Sequence, residues 1–290
     1  MEASSRVALE ESRERLAELS RPAAGMVEKA KDLLTRQPRV STADEILGLA
    51  DELFAVARLL VAQPSLRRSL ADPSGRPDDR AGLARALLGS KLSAVTVDLV
   101  ETVVRQRWSH PIDLVDAMTT LGTEAALDAA DARGEIDDVE DELFRFGRIV
   151  GGDRELSRIL GDRSASVEGT SVLIDRLVSG KVSPVTELLL RSTFTGRRAG
   201  SAEVAIEHLS EAASRRRGQS VARVTTAVAL TDAQERRLTD VLTRIYGRQI
   251  GLQVTVDPDV LGGLIVQVGD EVIDGSVAHR LEAARRRLAG

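Results

Sequence analysis

Apolar residues recur at three- and four-residue spacing through the first 217 residues, among abundant Glu and Arg. That period predicts helices that each bury one stripe. Leu9, Leu16 and Leu19 mark one face of a first helix. Thr42 and Glu45 have capping-box spacing, in which each side chain satisfies a free backbone donor. They open a helix with Ile46, Leu49, Leu53, Val56 and Leu60 on one stripe. "DPSGRPDD" at 72–79 breaks the pattern, and Pro38, Pro64 and Pro111 mark further helix boundaries.

After "RRRGQS" (215–220) the period changes. "VARVTTAVAL" (221–230) is β-branched and alternating, the pattern of a strand. "TDAQERRLTDVLTRIYG" (231–247) predicts a helix with a Thr231/Gln234 capping box, a Gly247 stop and an apolar face of Leu238, Val241, Leu242 and Ile245. "QIGLQVTVDP" (249–258) sets Leu252, Val254 and Val256 against Gln253 and Thr255, a half-buried strand. "GLIVQVGD" predicts another strand, followed by a tight turn, a short strand ending at Asp274 and a helix from Ser276 to about Leu288. The expected fold is mainly α, a duplicated helical bundle followed by a small α/β domain of strand, helix, strand hairpin and helix.

The duplication is read directly from the chain. A gapless shift of 90 residues places "ELFAVARLL" at 52 on "ELFRFGRIV" at 142, and "LLGSKLSAVT" at 87 on "LVSGKVSPVT" at 177. Between 52–103 and 142–193, 16 of 52 positions are identical, where chance gives about 3 or 4. The expected boundaries are 1–110, 111–217 and 218–290, with helix 110–131 open to being shared by both repeats. In each copy a lysine and a serine precede an apolar stripe: Lys91 and Ser93 before Val95 and Leu99, Lys181 and Ser183 before Val185 and Leu189. A catalytic Ser–Lys pair needs a pocket and an oxyanion hole. Its occurrence at the same place in both repeats favours helix entry, with both serines as N-caps.

Charge and composition remove function classes. The 290 residues carry a formal net charge of −5 with both signs interspersed, and aromatics are 2%. That is a poor footprint for nucleic acid, and Arg215–Arg217 and Arg285–Arg287 read as solvated helix ends. There is no cysteine, hence no disulfide or thiolate metal site. No apolar run approaches the roughly 20 residues of a membrane span, and the N-terminus lacks a signal-peptide core. Gly262, Gly263 and Gly269 lack the spacing and flanking elements of a dinucleotide loop. Asp257, Asp259, Asp270, Glu271 and Asp274 lack calcium-loop spacing, and His110, His208 and His279 are isolated. No catalytic, cofactor or metal site is expected. An unrelated helical adaptor or a nucleic-acid module is the competing class.

The closing "VTVDPDVLGGLIVQVGDEVIDGSVAHRLEAARRRL" resembles the delta subunit of bacterial F-type ATP synthase, a family that includes the mitochondrial oligomycin-sensitivity-conferring protein. Gly262, Gly263, Gly269, Asp270, Ile273, Asp274, Gly275, Ser276, Arg280 and Leu281 carry the pattern. Upstream, "GTEAALDAADARGEIDDVEDELFRFGRIV" and "LIDRLVSGKVSPVTELLLR" resemble parts of the family's single helical bundle, so the first copy is additional. Four lysines against 36 arginines fit the extended actinobacterial form. The resemblance implies a non-catalytic stator without cofactor, peripheral at the cytoplasmic face of the membrane. It implies that the helical part grips alpha-subunit N-terminal helices and that the C-terminal domain holds a separate b-type stalk chain. The implied alpha groove falls on Ala125, Leu127, Val185, Leu189 and Ser192. The glycine-rich motif is implied to be structural.

Overall fold

Short polar side chains and prolines open most of the helices. The computed structural model describes residues 1–20, 40, 42–162, 164–196, 200–219, 221–246, 250–257, 260, 262–268 and 271–275. Thr42 and Glu45 form the reciprocal capping box that opens α2 (Ala43–Ala62), after α1 (Ala3–Ser20). Proline stands in the first turn of α3 (Pro64–Ala71), α4 (Pro77–Leu88), α6 (Pro111–Arg133) and α10 (Pro184–Thr195), where its missing N–H costs nothing. Ser93, Asp153, Ser166 and Ser183 accept backbone N–H bonds at the starts of α5 (Ala94–Arg105), α8 (Arg154–Gly161), α9 (Val167–Val178) and α10. Between these lies α7 (Ile136–Gly152), and α11 (Ala202–Gln219) follows. Gly134, with φ 72°, ends α6 in the left-handed region that glycine adopts without a Cβ penalty.

The chain forms two compact units, Met1–Ala213 and Ser214–Gly290. In the first, a single hydrophobic cluster runs from Ala8 to Ala213, through both repeats. Helix α6 is its axis. Leu114, Val115, Ala117, Met118, Leu121, Ala125, Ala126, Ala129 and Ala130 are all fully buried, while Asp116, Thr119, Thr120, Thr123, Glu124 and Asp128 are half-buried on its polar side. It packs most extensively on α2 and also touches α1, α3, α7 and α10. Small residues let α2 approach closely. The ring of Phe54 lies over Gly122, where an added Cβ would stand 2.9 Å from Cε1.

The second unit is a four-stranded sheet in the order β2-β1-β3-β4. Strand β1 (Val221–Thr226) pairs in parallel with β2 (Gly251–Val256) and antiparallel with β3 (Leu264–Val268), which forms a hairpin with β4 (Glu271–Asp274). Helix α12 (Asp232–Tyr246) connects β1 to β2, as a parallel pair requires. Its core joins Ala222, Val224, Leu242, Ile250, Val266 and Val268. Mainly α with a small α/β unit is therefore the observed class.

The small sheet corrects three details of the sequence reading. The first strand stops at Thr226, and Val228 is 70% exposed. Val256 ends edge strand β2 at 48% exposure. Among the described apolar positions of α12 Leu242 alone is buried, with Leu238 partly covered, while Val241 and Ile245 are 41% and 56% exposed. Four short strands cover a narrower strip of helix than its apolar residues span. Pro38, Gly247 and the helix expected from Ser276 lie outside the described residues.

Gly262 and Gly263 adopt φ 87° and 81°, a conformation closed to branched side chains. Gly263→Val is expected to destabilise the C-terminal unit by about 1–3 kcal/mol. Thermal unfolding checks this, and an unchanged midpoint for that unit would contradict it.

Candidate docking site

The two repeats carry matching polar clusters, and each cluster holds helices together. Glu52 on α2 accepts the Ser93 backbone N–H at 3.0 and 3.1 Å, the Ser93 hydroxyl at 2.8 Å and the Thr96 hydroxyl. Glu142 on α7 accepts the Ser183 N–H at 2.9 and 3.0 Å and the Thr186 hydroxyl at 2.6 Å. A carboxylate from one helix thus caps the N-terminus of another, where its charge also suits the dipole. Ser93 and Ser183 are N-caps, as the sequence indicates. Lys181 points elsewhere, donating to the Arg176 and Leu177 carbonyls at 3.3 and 3.0 Å. The carboxylates escaped the sequence reading because they stand 41 residues from the serines. The signal was present, since Glu52/Glu142, Ser93/Ser183 and Thr96/Thr186 are all identities of the 90-residue shift.

A second cluster is conserved in geometry and reversed in charge. Arg85 on α4 pairs with Glu101 on α5, its Nη2 donating to Oε2 at 3.0 Å. At the equivalent positions Asp175 on α9 accepts from Arg191 on α10 at 3.0 and 2.7 Å. The hydrogen bond to Glu101 holds the Arg85 guanidinium above its ordinary pKa, and that to Asp175 does the same for Arg191. Both arginines remain charged at any working pH, so the pairing is pH-insensitive on that side. Arg85→Asp should lower the unfolding midpoint by setting two carboxylates together, and adding Glu101→Arg should restore it in the arrangement of the second copy. A double variant no more stable than the single one would contradict the swap.

The five groove candidates are all core positions. Ala125, Val185 and Leu189 are fully buried, Leu127 is 2% and Ser192 6% exposed. They lie on α6 and α10, which touch each other, and α2 touches both. The surface instead exposes Phe144 and Ile149 on α7 and Val167 and Val172 on α9. In the C-terminal motif, Gly275 donates its N–H to the Leu264 carbonyl at 3.0 Å, fastening the end of β4 to β3. Asp274 is the last residue of β4. Gly269, Asp270, Ser276 and Leu281 lie outside the described residues. No described helix is long and apolar enough to cross a membrane.

The helical part is thus a scaffold of two fused repeats, and the small α/β unit leaves Val241 and Ile245 exposed. The sequence pattern of the ATP synthase delta (OSCP) subunit family matches residues 123–288. An ATP synthase subunit delta from Streptomyces griseus is 46% identical over 271 residues, 93% of this chain and 98% of that protein. One from Streptomyces avermitilis is 48% identical over 270 residues, covering 93% and 97%. One from Beutenbergia cavernae is 49% identical over 242 residues, covering 83% and 89%. The chain belongs to the ATP synthase delta (OSCP) subunit family. The family pattern begins inside α6, yet the Streptomyces relatives match far upstream of it, so the additional first repeat is shared with them. A chain from the cryo-EM structure of the Toxoplasma gondii mitochondrial ATP synthase hexamer covers 58% of this chain and 95% of itself at 18% identity, with a TM-score of 0.30.

Proposed function

We propose that this chain is a non-catalytic stator component of an F-type ATP synthase, peripheral at the cytoplasmic face of the membrane. It links the alpha/beta catalytic head to a b-type peripheral stalk, so that proton-driven rotation is coupled to ATP synthesis. Membership of the delta family over nearly the whole chain carries this reading. A stator must resist torque, and the continuous core from Ala8 to Ala213 suits that task. Close-packed interiors deform little. Helix α6 ends the first repeat and opens the second, so the two copies share one rigid axis. An independent adaptor or a nucleic-acid module is not favoured, given this membership and the net charge of −5.

The helical unit receives N-terminal helices of the alpha subunits, and the C-terminal unit takes the stalk. Helix-on-helix docking draws on apolar residues at i and i+4. Val241 and Ile245 on α12 have that spacing and are exposed, beside exposed Arg237 and Arg244. The stalk surface is assigned to this strip. Co-purification from cells tests the whole reading: alpha, beta and b-type chains should come with the tagged protein, and their absence would refute it. Val241→Asp should reduce recovery of the b-type chain about tenfold, equivalent to ~1.4 kcal/mol, with alpha and beta retained. Full b-type recovery in that variant would place the stalk elsewhere.

A further inference from the structure

Helix α7 presents an ordered strip to the surface. Asp137, Asp141, Phe144 and Arg148 follow one another at intervals of 4, 3 and 4 residues, which sets them on one helix face. All four are exposed, Phe144 at 59%. Gly151 and Gly152 continue the helix, and a Cβ added to either would meet nothing within 4 Å. Helix α11 approaches α7 at Gly147, where an added Cβ would stand 3.2 Å from Ile206 Cγ2, and leaves the Phe144 side open. Charge runs in one direction along the strip: carboxylates at the N-terminal end, the ring in the middle, a guanidinium beyond it. Asp141 pairs with Arg145 one turn on, and no ion pair is seen for Arg148 among the described residues.

We propose that two copies of the free chain associate through this strip, α7 against α7 in antiparallel, with the twofold axis between Phe144 and Arg145. An isologous interface must be its own complement, and this strip is. The axis sets Asp141 of each copy opposite Arg148 of the other, and Phe144 of each opposite Arg145 of the other, where a guanidinium stacks on the ring. Asp137 then lies over Gly152, which brings no side chain into the joint. A parallel pair in register would oppose Asp141 to Asp141 and Arg148 to Arg148. An arbitrary helix has no reason to carry this order of charges, whereas a second copy carries it by construction. One helical strip per side is a small interface, so the dimer is weak and reversible.

Sedimentation equilibrium of the full-length chain tests this. The parent should show a monomer–dimer equilibrium with a dissociation constant between about 10 and 100 μM. Arg148→Asp and Asp141→Arg should each weaken association at least about tenfold, because each sets like charges across both contacts. An equimolar mixture of the two variants should recover the dimer, since one copy then brings two carboxylates and the other two guanidinium groups. Circular dichroism of each variant separates lost association from lost folding. A parent that stays monomeric well above that range would overturn the proposal. So would single variants that associate like the parent, or a mixture no more dimeric than its components. The chain has no cysteine, so Phe144→Cys can be labelled alone with a maleimide. Its protection should rise with concentration of the free chain. Protection that appears only in the assembled ATP synthase would give the strip to another subunit and overturn the proposal as well.

Discussion

Phe54→Ala is expected to cost the helical unit about 3–5 kcal/mol, while Phe144→Ala stays within about 0.5 kcal/mol. Both residues follow the same Glu-Leu pair in their repeats. Phe54 is 2% exposed and rests on Gly122, so truncation leaves a cavity that the closely packed face of α6 behind it cannot fill by relaxing. Phe144 is 59% exposed, and its ring already meets water over most of its surface. Urea unfolding of the full-length variants, followed by helical circular dichroism, measures both. Equal losses at the two positions would mean that the repeats bury their second helices alike, against the arrangement seen here.

Arg80→Leu is the second large effect, expected at about 3 kcal/mol. Arg80 is 6% exposed and donates to five carbonyls. Nε reaches Val104 at 2.8 Å, Nη1 reaches Asp72 at 2.7 Å and Gly75 at 2.9 Å, and Nη2 reaches Arg105 at 2.8 Å and Gln106 at 3.2 Å. One planar cation therefore closes the C-terminus of α5 and ties the 72–75 turn to it. Leucine keeps much of the stem and leaves those carbonyls without donors. Arg80→Lys should recover only part of the loss, since an ammonium cannot reproduce the fork. The second repeat has buried Thr170 at this position, so Thr170→Val should cost less. A leucine variant as stable as the parent would show that water satisfies the carbonyls.

Local features of the sequence carried most of the secondary structure. The Thr42/Glu45 and Thr231/Gln234 boxes occur as expected, because capping partners lie three residues apart. Alternation located β1 and β2, and the apolar run between glycines located β3. The α12 face was read too broadly, because periodicity marks which residues are apolar and not how wide a surface opposes them. Of the site, the family pattern was legible in the glycine-rich segment. The proposed groove residues came from the family resemblance by position, and nothing local said that α2 would lie against their helices.

The sequence by itself determined several helix starts, the strands of the small sheet, the repeat and the family, since each rests on residue types at short or fixed spacing. Tertiary structure alone decided which copy of a repeated residue is buried. Phe54 and Phe144 share a local context, but only Phe54 meets a glycine on a neighbouring helix. It also decided that Glu52 and Glu142 cap helices 41 residues away, and that Arg85–Glu101 and Asp175–Arg191 are one joint with its charges exchanged. Burial and pairing depend on what packs alongside, and for this chain that neighbour is often its own other copy.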